Sequence, residues 1–286
     1  MTFEWIEMKK DLAKKVVEKG HQGKRPRFWS QIDGKVIKFQ PGTEEGNPIA
    51  DTTEELSMFR IGVAHDEWSR ILELCLQLMD EREVSLFRTK TREGECITFE
   101  LHLISIISQA SPIPCWEVSE VIQVSKQLKE QGITLHRDKK TIDSFYVFAR
   151  ALKLLIPLEV RLIKQLTDNR ENKDEEAEVL KKDVTALVAS IYNNLAACQL
   201  VEANYRHVLH LCDQVLERAP SDPKAIYRKA SALLGLRQFQ DSLEMVKMGL
   251  VLDPSNKAMQ SLEKKANNYC IQQRNEFAKG MKKFFH

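Results

Sequence analysis

The chain has 286 residues and 43% apolar residues, enough to build the cores of one or two domains. A formal net charge of +2 and an aromatic content of 7% argue against a nucleic-acid-binding protein, which usually carries a basic excess and base-stacking rings. The six cysteines have no short paired spacing, so a disulfide framework and a zinc site are not expected.

The first 28 residues predict a helix followed by a linker. Apolar residues at helical spacing (Phe3, Ile6, Leu12, Val16) predict an amphipathic helix over residues 3–19. The basic, glycine-containing segment EKGHQGKRPR predicts a linker, with a nuclear-import signal as the alternative. Neither a signal-peptide block nor an apolar run of membrane-spanning length is found, so we expect no membrane span and a cytoplasmic protein, with the nucleus as a further compartment if the import signal acts.

Residues 29–110 predict a small α+β domain with an antiparallel sheet and one helix. GKVIKFQPG alternates apolar and polar residues and ends in a turn signal, as a strand does, and EGNPIADTTEE predicts a loop. EWSRILELCLQLMD predicts a helix that lies on the sheet. EVSLFRT and ECITFELHLISI are two further alternating segments that predict strands.

Residues 117–256 predict three helical repeats. Shifting residues 189–222 forward by 34 superposes six identical pairs, including Ala196 on Ala230 and Pro220 on Pro254, and 34 residues is the period of tetratricopeptide repeats. A further unit lies upstream, with Gly132, Phe148 and Ala151 at its packing positions. A basic helix is predicted over residues 257–286.

The order of these parts resembles the large immunophilins, in which an FK506-binding-type prolyl-isomerase domain precedes three tetratricopeptide repeats. The residues that carry the resemblance are NNLAACQL, CDQVLERAPSDPKAIYRKASALLGL, VLDPSNKA and AKGMKKFFH. In the front half, MFRIG, EWSRILELCLQLMDERE and ECITFELHLISI are similar to the second half of the isomerase-type domain. The chain resembles most the divergent FK506-binding-protein-like family, which implies a degenerate isomerase-type domain followed by an all-α superhelix of repeats.

The segment KAIYRKASALLG places Lys224, Arg228 and Lys229 in the first turns of a helix, where the macrodipole favours acidic residues. Two interpretations are open. The cations can form an ordinary solvated surface, or Lys224 and Arg228, spaced i, i+4 on one helical face, can bind an anion from outside.

The family resemblance implies the second interpretation, because chaperone-binding members hold the acidic C-terminal tail of heat-shock protein 90 or 70 in a carboxylate clamp. Carried over to this chain, Lys224 and Arg228 bind the last aspartate and the main chain. Asn194 and Lys129 bind the terminal carboxylate. Ile133 stands where strong clamps usually have an asparagine. We also expect all four residues to lie near the N-terminal ends of the first helices.

The front domain is not expected to be an enzyme. Active immunophilins have a VIKGW turn whose tryptophan forms the floor of a dry aromatic pocket, whereas this chain has VAHDEW, with Trp68 out of register. The resemblance therefore implies no catalytic residues and no cofactor or metal, and a role in contacts with a client or partner protein. A surviving prolyl isomerase and a scaffold that binds an internal peptide in the groove are the alternatives.

Two other patterns have competing interpretations. His207 and His210, spaced i, i+3 near Cys212, could bind a metal, but without an evident third ligand we predict packing and surface roles. The C-terminal helix is basic and amphipathic, which suits a calmodulin target or a membrane surface. For its first half we instead predict a cap on the last repeat, and its KGMKKFFH end stays open.

Overall fold

The computed structural model describes residues 4–39, 50–168 and 175–284, and the chain divides into two compact units, Met1–Glu117 and Val118–His286. Within the described ranges the front unit consists of β1 Ile6–Lys9, β2 Leu12–Glu18, β3 Gln31–Phe39, β4 Ala50–Arg60, α1 Glu67–Leu76, β5 Val84–Lys90 and β6 Cys96–Ser108. The second unit consists of α2 Val118–Arg137, α3 Thr141–Asp168, α4 Glu175–Val201, α5 Tyr205–Arg218, α6 Pro223–Gly235, α7 Phe239–Leu252 and α8 Lys257–Phe284.

The front unit is an antiparallel sheet in the order β1-β2-β5-β6-β3-β4, with α1 packed on one face. Alternate residues of the strands point toward α1, as the period of two in a pleated strand requires. The core between the sheet and the helix is apolar and includes Ile32, Val36, Leu72, Leu76, Phe87, Phe99, Leu101 and Leu103. This confirms the predicted α+β unit with one helix.

The predicted N-terminal helix over residues 3–19 is wrong, because the chain forms β1 and β2 there. In β2 both Leu12 and Lys14 are buried, so a lysine occupies an inward position of the strand. A charged residue at that position hides the alternation that would otherwise identify a strand. The linker prediction is also wrong in part, since His21 N donates to Glu81 O at 2.7 Å and Arg25 pairs with Asp80 at 2.9 Å.

The predicted loop EGNPIADTTEE is wrong from residue 50 onward, where β4 begins and pairs with β3. Its earlier residues, 45–49, lie outside the described residues, as do Gln40, Pro41 and Gly42 of the predicted turn. Threonines and glutamates gave this segment a loop-like composition, but β4 is paired on one side only, and an edge strand tolerates polar side chains.

The helices α2 to α7 pair as three helical hairpins, as the 34-residue period predicts. The first and third hairpins each contain an equivalent hydrogen bond between their two helices. Ser144 Oγ donates to Gly132 O at 2.7 Å in the first, and Ser242 Oγ donates to Ala230 O at 2.8 Å in the third. Gly132 lies against the Phe148 ring, where a Cβ would come within 2.6 Å of a ring carbon. The small residue therefore lets the two helices of the first hairpin approach closely.

Two helices are longer than a repeat requires, namely α3 with 28 residues and α4 with 27. Residues 169–174, between these two helices, lie outside the described residues. One 18-residue window of α4 has a mean hydropathy of 1.4, within the length and composition limits of a membrane span. Because 44% of that window is buried and α4 packs against α3 and α5, α4 serves as a core helix of the repeats.

The first half of α8 caps the last repeat, as predicted. Met259, Leu262 and Ala266 are buried, and Tyr269 stacks on Phe239 with ring centroids 5.1 Å apart. The second half is exposed, with Phe277 at 70%. The last two residues lie outside the described part of the chain.

Candidate functional site

The candidate site begins at the N-terminus of α6, the first helix of the third repeat. Asp222 caps this helix, since its Oδ1 accepts from Ala225 N at 2.7 Å, and Pro223 follows at the first helical position. Asp222 supplies the negative charge that the first turn lacks. The helix therefore tolerates Lys224 in this turn without needing an external anion to form.

The cations of α6 have different environments. Lys229 Nζ pairs with Asp213 Oδ1 of α5 at 2.6 Å, so its charge is neutralised within the protein. Lys224 is exposed, and in the described part of the chain it has no hydrogen bond or ion pair. Of these two lysines, only Lys224 is therefore available to an anion from outside.

Arg228 is half-buried, and no carboxylate among the described residues pairs with it. Its Nη1 donates to Asn193 Oδ1 of α4 at 2.9 Å, and Asn193 is 5% exposed. Desolvation lowers the pKa of Arg228, while Cys212, Asp222 and Cys198 have the opposite, smaller effect. An arginine stays protonated at neutral pH, so Arg228 is a desolvated cation with unused donors.

Lys129 lies on α2 and Asn194 on α4, both half-buried, and α4 contacts both α2 and α6. Neither side chain has a hydrogen bond within residues 4–39, 50–168 and 175–284. The prediction that all four residues lie near helix N-termini is wrong for this pair: Lys129 is in the middle of α2, and Asn194 lies in the second half of the lengthened α4. Lys224 and Arg228 do lie in the first turns of α6.

Sequence reasoning missed Asn193. The segment IYNNLAAC contains two adjacent asparagines, and the family pattern selects the second, Asn194. Neighbouring residues on a helix point about 100° apart, so only one of them can face Arg228. The structure gives this contact to Asn193. The local sequence has no signal that separates the two asparagines, because the choice depends on the rotation of α4 against α6.

In the front unit, the Trp68 ring contacts both an aromatic ring and a cation. Trp68 packs edge-on against Phe99 with ring centroids 4.9 Å apart, and the Lys38 amine lies 4.1 Å from the ring centroid. Its Nε1 donates to Glu54 Oε2 at 3.4 Å. The preceding turn is fixed by buried Glu73, whose Oε1 accepts from Gly62 N and Ala64 N, each at 2.7 Å.

The histidines of α5 stack on each other. The rings of His207 and His210 are 6.5 Å apart, and Phe145 packs against His207 at 5.9 Å. Burial lowers the pKa of His207, and His210 adds to this effect. Among the described residues there is no cluster of three or more histidine, cysteine, aspartate or glutamate side chains that could hold a metal ion.

No model of a protein family matches the sequence. The chain is 29% identical to Protein Bride of doubletime from Drosophila melanogaster over 82% of each chain. It is 26% identical to FK506-binding protein-like from Homo sapiens, over 96% of this chain and 70% of that protein. A shorter segment, 26% of the chain, is 40% identical to the Hsp70/Hsp90 co-chaperone cns1 from Schizosaccharomyces pombe, of which it covers 20%.

Among solved structures, residues 1–211 of CG17282 superpose with a TM-score of 0.51 and 26% sequence identity, covering 72% of this chain and 98% of that one. The similarity to the FK506-binding-protein-like sequences covers both units of the chain, the front sheet and the repeats. The chain is therefore similar along most of its length to FK506-binding-protein-like proteins.

Proposed function

We propose that this chain is a cytoplasmic co-chaperone, an adaptor whose repeats bind the acidic C-terminal tail of heat-shock protein 90 or 70. Lys224 and Arg228 bind the carboxylate of the last aspartate and the adjacent main chain. Lys129 and Asn194 bind the terminal carboxylate. The relative cns1, a co-chaperone of both chaperones by its name, supports this class of function.

One observation carries the proposal: Arg228 is a half-buried cation that meets an amide instead of a carboxylate. Two other packed cations of the repeats have acidic partners: Arg218 pairs with Glu159 at 2.8 Å, and Lys229 pairs with Asp213 at 2.6 Å. A desolvated guanidinium gains most from a carboxylate ligand, with which it forms charge-assisted hydrogen bonds. Lys224 lies one turn earlier on the same helix and adds a second cation.

The front unit is proposed to be non-catalytic and to contact a client or partner protein. A prolyl isomerase needs an open aromatic pocket for the twisted imide. The packing of Phe99 and Lys38 on Trp68 supports the absence of that pocket at this position. A protease-coupled assay with a proline peptide tests this part, and turnover above the uncatalysed rate would contradict it.

A titration of a fluorescent peptide ending in Met-Glu-Glu-Val-Asp tests the clamp. The wild type is expected to bind it, and Lys224→Ala/Arg228→Ala is expected to bind at least tenfold more weakly, because charged hydrogen bonds contribute about 1.5–3 kcal/mol each. Lys229→Ala is the matched control on the same helix, since its charge is already paired with Asp213. Equal affinity of the wild type and the double variant would eliminate the clamp.

The same titration separates a groove that binds chain ends from a scaffold that binds internal peptides. Amidation of the peptide's C-terminus removes the carboxylate that Lys129 and Asn194 are proposed to bind. We expect the amidated peptide to bind the wild type more weakly. Undiminished binding of the amidated peptide would favour the scaffold instead.

A further inference from the structure

Asn193 is a neutral partner for Arg228, whereas Arg218 and Lys229 of the same repeats have acidic partners. Its Oδ1 accepts from Arg228 Nη1 at 2.9 Å, and the side chain lies in the buried layer between α4 and α6. An uncharged amide satisfies one donor and leaves the positive charge in place. An aspartate at the same position would form an internal ion pair like that of Lys229 with Asp213.

We infer that Asn193 is a positioning residue for the proposed peptide site: it fixes the Arg228 guanidinium by one neutral hydrogen bond and leaves the remaining N–H groups for the ligand carboxylate. This inference rests on the proposed function, because it assigns to Arg228 the recognition of the last aspartate. It adds a residue that does not touch the peptide and acts through Arg228.

The geometry of an arginine explains why one fixed donor is enough. The guanidinium is planar and carries five N–H donors in a rigid fork, so a hydrogen bond at one nitrogen sets the direction of the others. Within the described residues Arg228 has no second hydrogen bond that would compete with a ligand. The fixed plane also lowers the conformational entropy that binding would otherwise cost.

Burial makes the neutral partner important. Asn193 is 5% exposed, so an acidic residue there would meet Arg228 away from solvent, where an ion pair is strong. Such a pair would keep Arg228 in place but remove its affinity for an outside carboxylate. Two substitutions therefore separate the orientation of Arg228 from its charge. Asn193→Asp keeps Arg228 in place but neutralises it, and Asn193→Ala keeps its charge but removes the hydrogen bond that orients it.

The test compares two peptides that differ only in the acid that Arg228 is proposed to read: Met-Glu-Glu-Val-Asp and Met-Glu-Glu-Val-Asn, both with a free C-terminus. The wild type is expected to prefer the first by at least tenfold. Asn193→Asp should reduce this ratio to about one. Asn193→Ala should reduce it by about threefold to tenfold, because Arg228 keeps its charge but loses its orientation.

Asn204→Asp is the control for net charge, since Asn204 is exposed in the turn after α4. It should keep the wild-type ratio. Circular dichroism verifies that each variant is folded, and if Asn193→Asp fails to fold, Asn193→Ala alone decides the question. A merely structural role for Asn193 would weaken both peptides equally and leave their ratio unchanged.

Two failures are distinguishable. If the wild type discriminates between the peptides and both Asn193 variants discriminate as well as it does, Asn193 has no positioning role and the proposed function stands. If the wild type itself binds both peptides equally, Arg228 does not read the last aspartate, and the clamp fails together with the role of Asn193.

Discussion

Lys14 and Glu83 form a buried ion pair of 2.6 Å in the front unit, with side chains only 8% and 5% exposed. Lys14 also donates to Leu78 O at 2.5 Å, and Glu83 accepts from Ser85 Oγ at 2.5 Å. The pair connects the second strand, β2, to the segment that precedes β5. It therefore joins residues 12–18 to the rest of the sheet by charge as well as by backbone hydrogen bonds.

Lys14→Met is expected to destabilise the front unit by about 3–5 kcal/mol, because it leaves the Glu83 carboxylate buried without a counter-charge. Tryptophan fluorescence during urea unfolding measures this unit alone, since all four tryptophans lie in residues 1–117. Lys15→Met, on the next residue and the opposite face of β2, should change the free energy of unfolding by less than about 0.5 kcal/mol. Similar effects of the two substitutions would contradict the importance of the pair.

The same pair explains why the N-terminal strands could not be predicted from the sequence. LAKKVVE has a lysine at an inward position, and the glutamate that neutralises it lies far along the chain. Nothing in the local pattern shows that Lys14 is paired. The apolar residues therefore have a helical spacing, although tertiary contacts hold this part of the chain as the strands β1 and β2.

The repeats could be predicted because their signals are local. The last two hairpins share six identical residues at an offset of 34, and a proline after the second helix of each separates it from the next helix. The contacts of Gly132 with Phe148 and of Ser144 with Gly132 O lie within one hairpin. The partner of Arg228 could not be found this way, because the choice between Asn193 and Asn194 depends on the rotation of α4 against α6.

Asp66 caps the N-terminus of α1, and its carboxylate makes the stability of the front unit depend on pH. Burial raises the pKa of Asp66, but the hydrogen bonds from Ser69, together with His65 and Arg70, outweigh it and lower the pKa below the ordinary value of 3.8. A carboxyl group whose pKa is lower in the folded state than in the unfolded state stabilises the folded protein at any pH above its unfolded-state pKa. This contribution is lost as the pH falls through the folded-state pKa.

Asp66→Ala should therefore lower the stability of the front unit by about 1 kcal/mol near pH 6, the usual effect of a lost N-cap. The difference between the two proteins in free energy of unfolding should decrease between pH 5 and pH 3. Tryptophan fluorescence during urea unfolding measures it. Glu93→Ala serves as the control, because Glu93 is exposed and, as far as the chain is described, has no hydrogen bond. A difference in stability that stays constant down to pH 3 would contradict the lowered pKa of Asp66.

The ion pair between Glu159 of α3 and Arg218 of α5 predicts a stability effect in the repeat unit. Arg218 holds the glutamate by both Nε and Nη2, and the Glu159 side chain is 4% exposed. Arg218 also lies 5.4 Å from the Tyr192 ring centroid. The three residues thus join the lengthened α3 to the second repeat, and Glu159→Ala would leave a cation with no acid of its own.

We expect Glu159→Ala to lower the free energy of unfolding of the repeat unit by about 3 kcal/mol. This is the low end of the range for a broken buried ion pair, because the Arg218 side chain is 18% exposed and can reach water. Far-UV circular dichroism in urea follows the helices, while tryptophan fluorescence should stay unchanged since no tryptophan lies in residues 118–286. Glu217→Ala, next to Arg218 and exposed, should have little effect. A loss of stability seen by fluorescence would mean that the front unit depends on this pair, contrary to expectation.

A substitution at Ile133 should increase the affinity of the proposed groove for the peptide. It lies one turn after Lys129 on α2 and is half-buried, at the position where the family resemblance implies an asparagine. Ile133→Asn should add an amide donor for the terminal carboxylate and tighten binding of the Met-Glu-Glu-Val-Asp peptide by about five- to tenfold, since one hydrogen bond contributes about 1 kcal/mol.

Two controls separate the added donor from the loss of an apolar side chain. Ile133→Ala removes the bulk without adding a donor and should leave the affinity within about twofold, and Ile142→Asn makes the same chemical change at an exposed position of α3. The gain from Ile133→Asn should be smaller with the amidated peptide, because a neutral terminal amide is a weaker hydrogen-bond acceptor than a carboxylate. A gain of the same size for both peptide forms would mean that position 133 contacts the peptide away from its chain end, and the placement of Lys129 at the terminal carboxylate would then be wrong.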